Sequence, residues 1–436
     1  MKKITIIGTG YVGLVSGAGI AEFGHHVTCA DIDQEKIDQL KKGEIPIYEP
    51  ELDALVSDNV NNGRLSFSNE VKSCIEVADI IFIAVGTPQG HNGEADLSAI
   101  KTVAETIGTH MNGYTLICTK STVPIGTGKM IESIIKSKNP NANFDYVSNP
   151  EFLREGAAVK DFLHPDRIVV GTRSEKAASI MRNVYRPLYI NETPIVATTV
   201  ETSEMIKYAS NAFLALKISY INEIANLCEA VGADVHEVAK AMGQDGRISP
   251  KFLHPGPGFG GSCFPKDIEA LAATGRENSS PMRTIEAAIQ TNANQKLKMI
   301  DKLVALLGGD VKGKTVAILG LAFKPQTDDV RDAASRVIIP ELVDKGATVH
   351  AYDPIAMDNF KRHHSDISYF ENWQAAVSDA DGAVILTEWN EFRGMDLSDL
   401  KSRMASPVIL DTKNILSIQQ LKSLGFTFDN VGRTAI

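Results

Sequence analysis

The 436-residue sequence is poor in cysteine, has no excess of positive charge and contains no long apolar run. Its five cysteines, at 29, 74, 118, 228 and 263, are odd in number and show no CxxC spacing. That pattern argues against a disulfide framework or a zinc cage, so no metal is expected and a reducing compartment fits. With 44 Lys and Arg against 54 Asp and Glu, the formal net charge of -10 argues against a nucleic-acid or membrane-surface role. An anionic ligand would need a local basic pocket. No apolar stretch reaches the roughly 18 residues of a membrane span. A strand beginning at Lys3 leaves no room ahead of it for a secretory signal, and a cytoplasmic protein is expected. The remaining composition, 43% hydrophobic and 22% charged, is that of a globular chain, and the length favours two or three domains.

Lys3 to Ile7 form an apolar run that ends in Gly8-Thr9-Gly10-Tyr11-Val12-Gly13, and residues 12–23 follow helical spacing, which reads as strand, tight turn and helix. A second strand, His26 to Ala30, ends at Asp31, and buried parallel strands are predicted over Ile80–Val85 and Thr115–Cys118. Strands and helices alternate to about residue 195, which predicts a doubly wound parallel sheet. From Glu201 to Val231 there is neither proline nor glycine for 31 residues, and Ile206, Phe213, Ile221, Ile224, Leu227 and Val231 keep roughly helical intervals before Gly232. A helix of about 45 Å follows at 1.5 Å per residue, long enough to bridge domains and carry a subunit interface. Another helical region covers 281–307. A second strand-turn series then opens at Thr315–Gly320 and continues through Val349–Asp353 and Ala383–Thr387. The two ends echo each other, Gly8 with Gly320 and Asp31 with Asp353, so two nucleotide-binding halves are expected.

Several residues can carry chemistry. Gly8, Gly10 and Gly13 permit a tight turn, close approach to a pyrophosphate and close helix packing, with the helix N-terminus favouring the anion. Tyr11 and Val12 complete this fingerprint. Asp31, 18 residues after Gly13, can accept hydrogen bonds from a ribose and would repel a 2'-phosphate, which favours NAD as cofactor; Lys36 is a further cofactor-binding candidate. Thr87 and Thr122 follow apolar strands, where their hydroxyls can meet cofactor or order a water. Glu151 and Glu155, four apart after a strand at Asp145–Val147, can share one side of a helical turn, one of them activating water. Lys207 and Asn211 share a helix face and can converge on a reacting oxygen. Cys263 stands in the glycine- and proline-rich loop 255–267, before Pro265 and a helical stretch from Lys266 to Ala273. A helix N-terminus and Lys266 would both favour its thiolate. The other four cysteines read as packing residues. A thiol nucleophile beside a dinucleotide fingerprint suggests an oxidation that passes from alcohol through aldehyde to acid.

Taken together, GTGYVGL, VGTP, TKSTVP, NPEFLREG, the Lys207–Asn211 helix, GFGGSCFPKD and GLAFKPQTDDVRDAAS resemble the UDP-glucose/GDP-mannose dehydrogenase family, from residue 1 to about 430. The resemblance implies an α/β fold of two Rossmann-like doubly wound domains joined by a long central helix and a helical dimerisation domain. The expected boundaries are 1–200 for NAD, 201–308 for the central domain and 309–436 for UDP. It implies oxidation of UDP-glucose to UDP-glucuronate with two NAD. Cys263 would attack the aldehyde-level intermediate, Lys207 and Asp267 would organise a water and handle protons, and Asn211 would hold the reacting oxygen. Glu151 would serve thioester hydrolysis, and Thr122 would help place water and cofactor. Glu155, Cys263, Lys266 and Arg331 correspond to NAD contacts. Glu151, Phe152, Leu153, Arg154, Glu155, Lys207, Asn211, Arg247, Phe259, Gly260 and Lys324 correspond to nucleotide-sugar contacts, with Arg247 offered across a homodimer interface.

Oxidation of GDP-mannose or of a UDP-N-acetylhexosamine stays open as an alternative substrate choice, although Ser262-Cys263 departs from the His-Cys pattern associated with the latter. A β-hydroxyacid dehydrogenase would use a lysine without a nucleophilic cysteine. A nucleotide-sugar sensor would need neither.

Overall fold

The computed structural model describes residues 1–90 and 92–433, in two compact units, Met1–Ser210 and Asn211–Ile436. The first is built on eight strands: β1 (Lys3–Ile7), β2 (His26–Ala30), β3 (Leu65–Ser68), β4 (Ile80–Ile83), β5 (Tyr114–Thr119), β6 (Asn143–Ser148), β7 (Ile168–Gly171) and β8 (Ile195–Thr198). Their order is β3-β2-β1-β4-β5-β6-β7-β8, and β1 to β6 are parallel. Both faces of this sheet are covered, which explains its unbroken apolar strands. Ile4 and Ile6 pack with Leu14, Val15 and Ala18, whereas Ile7, Ile81 and Ile83 pack with Ile100, Ala104 and Ile107. Strand order reverses between β1 and its neighbours β2 and β4, which opens a crevice at their carboxyl ends.

Helix Tyr11–Glu22 starts directly behind β1. The turn needs glycine twice. Gly8 has φ +102°, and a Cβ on Gly13 would lie 1.8 Å from the Gly8 carbonyl oxygen. The sheet departs from the expected all-parallel pattern at β7, which meets β6 antiparallel at Ser148 and Gly171 and then pairs parallel with β8. The β6–β7 connection, residues 149–167, carries the six-residue helix Ala158–Leu163, and β7 then runs back against β6.

Helix Val200–Val231, 32 residues long, continues from the first unit into the second. Of the apolar positions on its predicted face Ile221 is buried, whereas Phe213 (61%), Leu227 (57%) and Val231 (67%) are exposed. The second unit adds helices Phe264–Glu277 and Arg283–Leu306. Its sheet comprises β9 (Thr315–Leu319), β10 (Thr348–Tyr352), β11 (Ser368–Tyr369), β12 (Gly382–Ile385), β13 (Val408–Asp411) and β14 (Thr427–Asn430), in the order β11-β10-β9-β12-β13-β14 and parallel throughout. No helix among the described residues is long and apolar enough to cross a membrane.

The echo between the two sheets holds in topology and in the turn after the first strand. Gly8 and Gly320 both take positive φ, and their N–H groups donate to Ala30 and Tyr352 at 2.8 Å each. It does not extend to the aspartate. Asp353 is fully buried and accepts five hydrogen bonds, from the N–H groups of Leu321, Ala322, Ile355 and Ala356 and from the Trp389 indole. Nor does a helix start behind β9, since the next begins at Ser335.

Gly13→Ala is expected to cost about 2 kcal/mol or more by overpacking against fixed backbone. Gly10→Ala, whose Cβ would meet nothing within 4 Å, should leave stability within about 0.5 kcal/mol. Thermal melts of the two variants check the contrast.

Candidate active site

The crevice at the carboxyl ends of β1 and β2 has the parts a dinucleotide needs. Gly10, at the N-cap of helix Tyr11–Glu22, faces open space, so a pyrophosphate can approach the backbone. Asp31 accepts from the Thr9 N–H and hydroxyl, both at 2.7 Å through Oδ2, and from Asp33 N–H at 3.1 Å through Oδ1. Oδ1 keeps a lone pair for a ribose hydroxyl. Burial opposes ionisation of Asp31, but these bonds and Lys36, 3.8 Å away, outweigh it and hold the carboxyl below its usual range. The residues present fit NAD. Ile32, which sequence reasoning missed, is 90% exposed immediately beside this carboxylate.

The predicted threonines meet each other. The Thr87 hydroxyl donates to the Thr122 carbonyl at 2.9 Å, and Ser121 Oγ donates to the Val85 carbonyl at 2.6 Å, so the loops after β4 and β5 are cross-braced. Beyond Thr122, the N–H groups of Gly126 and Gly128 donate to the buried Glu204 carboxylate at 2.7 and 2.8 Å, seating the start of helix Thr127–Lys138 on the long helix. Tyr11 extends from the fingerprint to the segment around Gly156. Its hydroxyl donates to Glu49, which also accepts from the Gly156 and Ala158 N–H groups at 2.6 and 2.7 Å. Val12 packs on the core.

Glu151 and Glu155 do not share a helical turn. Residues 151–154 are irregular; the Glu151 carboxylate accepts the Leu153 N–H, and Asp161 takes the Arg154 N–H at 2.9 Å. Arg154 also forms a bidentate pair with Asp161, Leu153 lies against the core, and Glu155 is half-buried. Glu151 is instead buried against Lys207, Nζ to Oε1 2.9 Å, with both side chains 4% exposed. The Lys207 ammonium lies 5.3 Å from the Phe152 ring centroid, and the Arg167 guanidinium lies 3.7 Å from it.

Close to this pair in the fold is a lysine the sequence did not single out. Lys120 is buried and donates to Asn149 Oδ1 and the Tyr185 hydroxyl, each at 3.1 Å. Burial pushes its ammonium down to about 8, and the Glu151 carboxylate pulls the other way. Its only sequence signal was a lysine directly after an apolar strand. Glu204 carried a clearer one, three residues before Lys207 and hence on its side of the helix.

The second unit holds the thiol. Cys263 is half-buried at the N-cap of helix Phe264–Glu277, with Pro265 in the first turn, and Ser262 Oγ lies 3.5 Å from its sulfur. Phe264 packs edge-on against Phe252 and Phe259, ring centroids about 6 Å apart. One turn on, Asp267 is 1% exposed and accepts from Asn211 Nδ2 and from Lys266 Nζ, both at 2.6 Å. The ammonium expected beside the sulfur is thus engaged by Asp267. Gly260 and Gly261 run close to the segment carrying Arg331: the Gly261 N–H donates to the Arg331 carbonyl at 2.7 Å, and a Cβ on Gly260 would lie 2.4 Å from the Asp332 oxygen. Arg331 forms a bidentate pair with Asp329, Lys324 lies over Phe323, and Arg247, 89% exposed in its side chain, is braced by Asp245. The remaining cysteines are buried. Burial pushes Cys29 up to about 12 and Cys118 higher still, which leaves them unreactive.

Residues 2–189, 201–294 and 317–418 match, in turn, the NAD binding, central and UDP binding domains of the UDP-glucose/GDP-mannose dehydrogenase family. The chain belongs to that family. Among relatives, a UDP-glucose 6-dehydrogenase of Rhizobium meliloti is 50% identical over 434 residues, 99% of each chain. The Bacillus subtilis UDP-glucose 6-dehydrogenase TuaD is 50% identical over 438 residues, covering all of this chain and 94% of its own. Among solved structures, a UDP-glucose dehydrogenase from Pyrobaculum islandicum matches with a TM-score of 0.90 at 36% identity, over 95% of each chain. A UDP-D-ManNAc dehydrogenase from Pyrococcus horikoshii matches all of both chains with a TM-score of 0.88 at 26% identity.

Burial raises the Glu204 carboxyl to about 7, against the pull of the two glycine N–H groups. A carboxyl raised on folding contributes stability that is present below its unfolded value, about 4.5, and is lost as pH rises through its folded value. Stability should therefore fall between about pH 4.5 and 7 through this group. Glu204→Gln, which cannot ionise, is expected to flatten that part of a denaturation-midpoint profile.

Proposed function

We propose that this family member is a UDP-glucose 6-dehydrogenase, converting UDP-glucose to UDP-glucuronate in two oxidations with two NAD. The observation that carries the reading is the half-buried Cys263 at a helix N-cap, one turn before the Asn211–Asp267 pair. A sensor would need no such thiol. A hydroxyacid dehydrogenase would need no thioester. Full-length relatives named UDP-glucose 6-dehydrogenases support UDP-glucose over GDP-mannose.

NAD, when bound, would supply the hydride acceptor for each oxidation at C6. Asp31, Lys36, Thr87, Thr122, Glu155, Lys266 and Arg331, with the glycine turn of Gly8 to Gly13, would hold it, and the exposed Ile32 would add apolar surface beside Asp31. Lys207 and Asp267 order a water that takes the C6 hydroxyl proton during the first oxidation, and Asn211 donates to the reacting oxygen. The Cys263 sulfur then bonds to the aldehyde carbon while its proton passes to the carbonyl oxygen. Loss of the second hydride and of the hydroxyl proton leaves a thioester. Water, giving a proton to the Glu151 carboxylate, displaces the thiol and releases the acid. Phe152, Leu153, Arg154, Phe259, Gly260 and Lys324 are assigned to the nucleotide sugar.

The functional segments are 1–200 for NAD, 201–308 for the central region and 309–436 for UDP. The protein acts as a cytoplasmic homodimer. The scattered, odd cysteines support the compartment, and exposed Phe213, Leu227 and Val231 on one helix support an apolar contact with a second copy, to which Arg247 extends.

Two NADH per UDP-glucose, with little from UDP-N-acetylglucosamine or GDP-mannose, is the expected stoichiometry; one NADH and a carbonyl product overturns the reading. Cys263→Ala should lose at least about 1,000-fold in acid formation, the scale of an essential group. Glu151→Gln should accumulate an acyl-enzyme visible by intact mass.

A further inference from the structure

The loop before Cys263 has neither strand nor helix to satisfy its peptide groups, and yet it is largely buried. Buried backbone donors and acceptors must be paired somewhere, and here two helices supply side-chain amides as partners. Asn292, on helix Arg283–Leu306, accepts from the Phe259 N–H at 2.7 Å and donates to the Phe259 carbonyl at 3.0 Å. A single amide thus pairs with both groups of one peptide residue, as a neighbouring strand would. Gly256 is held in the same way by two residues: its N–H donates to Asn222 Oδ1 at 2.8 Å, and Gln295 Nε2 donates to its carbonyl at 2.9 Å. The set is itself braced, since Asn226 donates to Gln295 Oε1 at 3.0 Å and accepts from Lys298 at 2.7 Å.

Asn292, Gln295 and Lys296 lie on one side of their helix. Lys296 donates to the Asp332 carbonyl at 2.7 Å, so one helix face fixes both the 256–259 loop and the segment that carries Arg331. Space is closed as well as hydrogen bonds, because a Cβ on Gly258 would lie 2.7 Å from Asn292 Oδ1. Asn222 holds Gly256 although its own buried Nδ2 has no hydrogen-bond partner among the described residues. A core built for stability alone would avoid that donor.

We infer that Asn292, with Asn222 and Gln295, is a positioning residue that fixes the 256–259 backbone for nucleotide-sugar binding ahead of Cys263. The inference rests on the proposed function, which assigns this loop to the sugar nucleotide. Amides do not ionise, so the hydrogen bonds they make to the loop do not titrate. The NAD-binding residues of the first unit lie outside it.

The test uses full-length protein and two variants, Asn292→Leu, close to isosteric, and Gln295→Met as a second route should the first fail to fold. In the absence of substrate, hydrogen exchange of the 252–262 peptide should quicken at least tenfold, with peptides of residues 1–150 unchanged. With substrates, KM for UDP-glucose should rise at least tenfold while KM for NAD stays within twofold and kcat falls less than KM rises. Unchanged loop exchange overturns the clamp. A fall in kcat with KM for UDP-glucose unmoved, or an equal rise in both KM values, overturns the positioning role. If wild type reduces no NAD with UDP-glucose, the proposed function fails, and the exchange measurement still decides the clamp.

Discussion

A charge taken out of water survives only where fixed donors or acceptors replace the solvent, and this requirement shapes the chemistry-bearing parts of the molecule. Glu151 is met by Lys207, Glu204 by two glycine N–H groups, Asp267 by Asn211 and Lys266, and Asp353 by four backbone N–H groups and an indole. Buried ion pairs of this kind add little net stability compared with apolar packing. What they fix is position. Ser203, Glu204 and Lys207 are all buried on one helix, so its register sets their contacts in the first unit together.

Much of the fold was legible because its strands are buried on both faces. Apolar runs ending in glycine, aspartate or threonine located β1, β2, β4, β5 and β9 to within two residues, and absent glycine and proline marked the long helix. The sequence did not reveal the reversal at β7, because a buried apolar strand reads the same in either direction and the antiparallel pairing of Ser148 with Gly171 leaves no mark on the pattern. Residues 151–155 were misread as a turn of helix because carboxylates four apart also fit irregular backbone, here with the Leu153 and Arg154 N–H groups held by Glu151 and Asp161.

The candidate site was proposed from the sequence where residue type is restrictive. A cysteine among glycines, a glycine turn behind a strand and Asp31 after the second strand each have few structural reasons to occur together. Residues acting through hydrogen bonds to backbone were not. Asn292 and Gln295 read as ordinary polar positions of a helix, and only folding brings them to Phe259 and Gly256. Lys120 was passed over because lysine is expected at the surface, and its partners Asn149 and Tyr185 lie 29 and 65 residues away.

The internalised Asp353 separates the two sheets more sharply than their matching strand orders suggest. The position that in the first sheet remains able to greet a ribose has, in the second, become a keystone closing five donors around itself. Unlocking it would leave those donors stranded in an apolar interior. The C-terminal sheet therefore cannot present this carboxylate to a ribose hydroxyl in the way the first sheet can present Asp31.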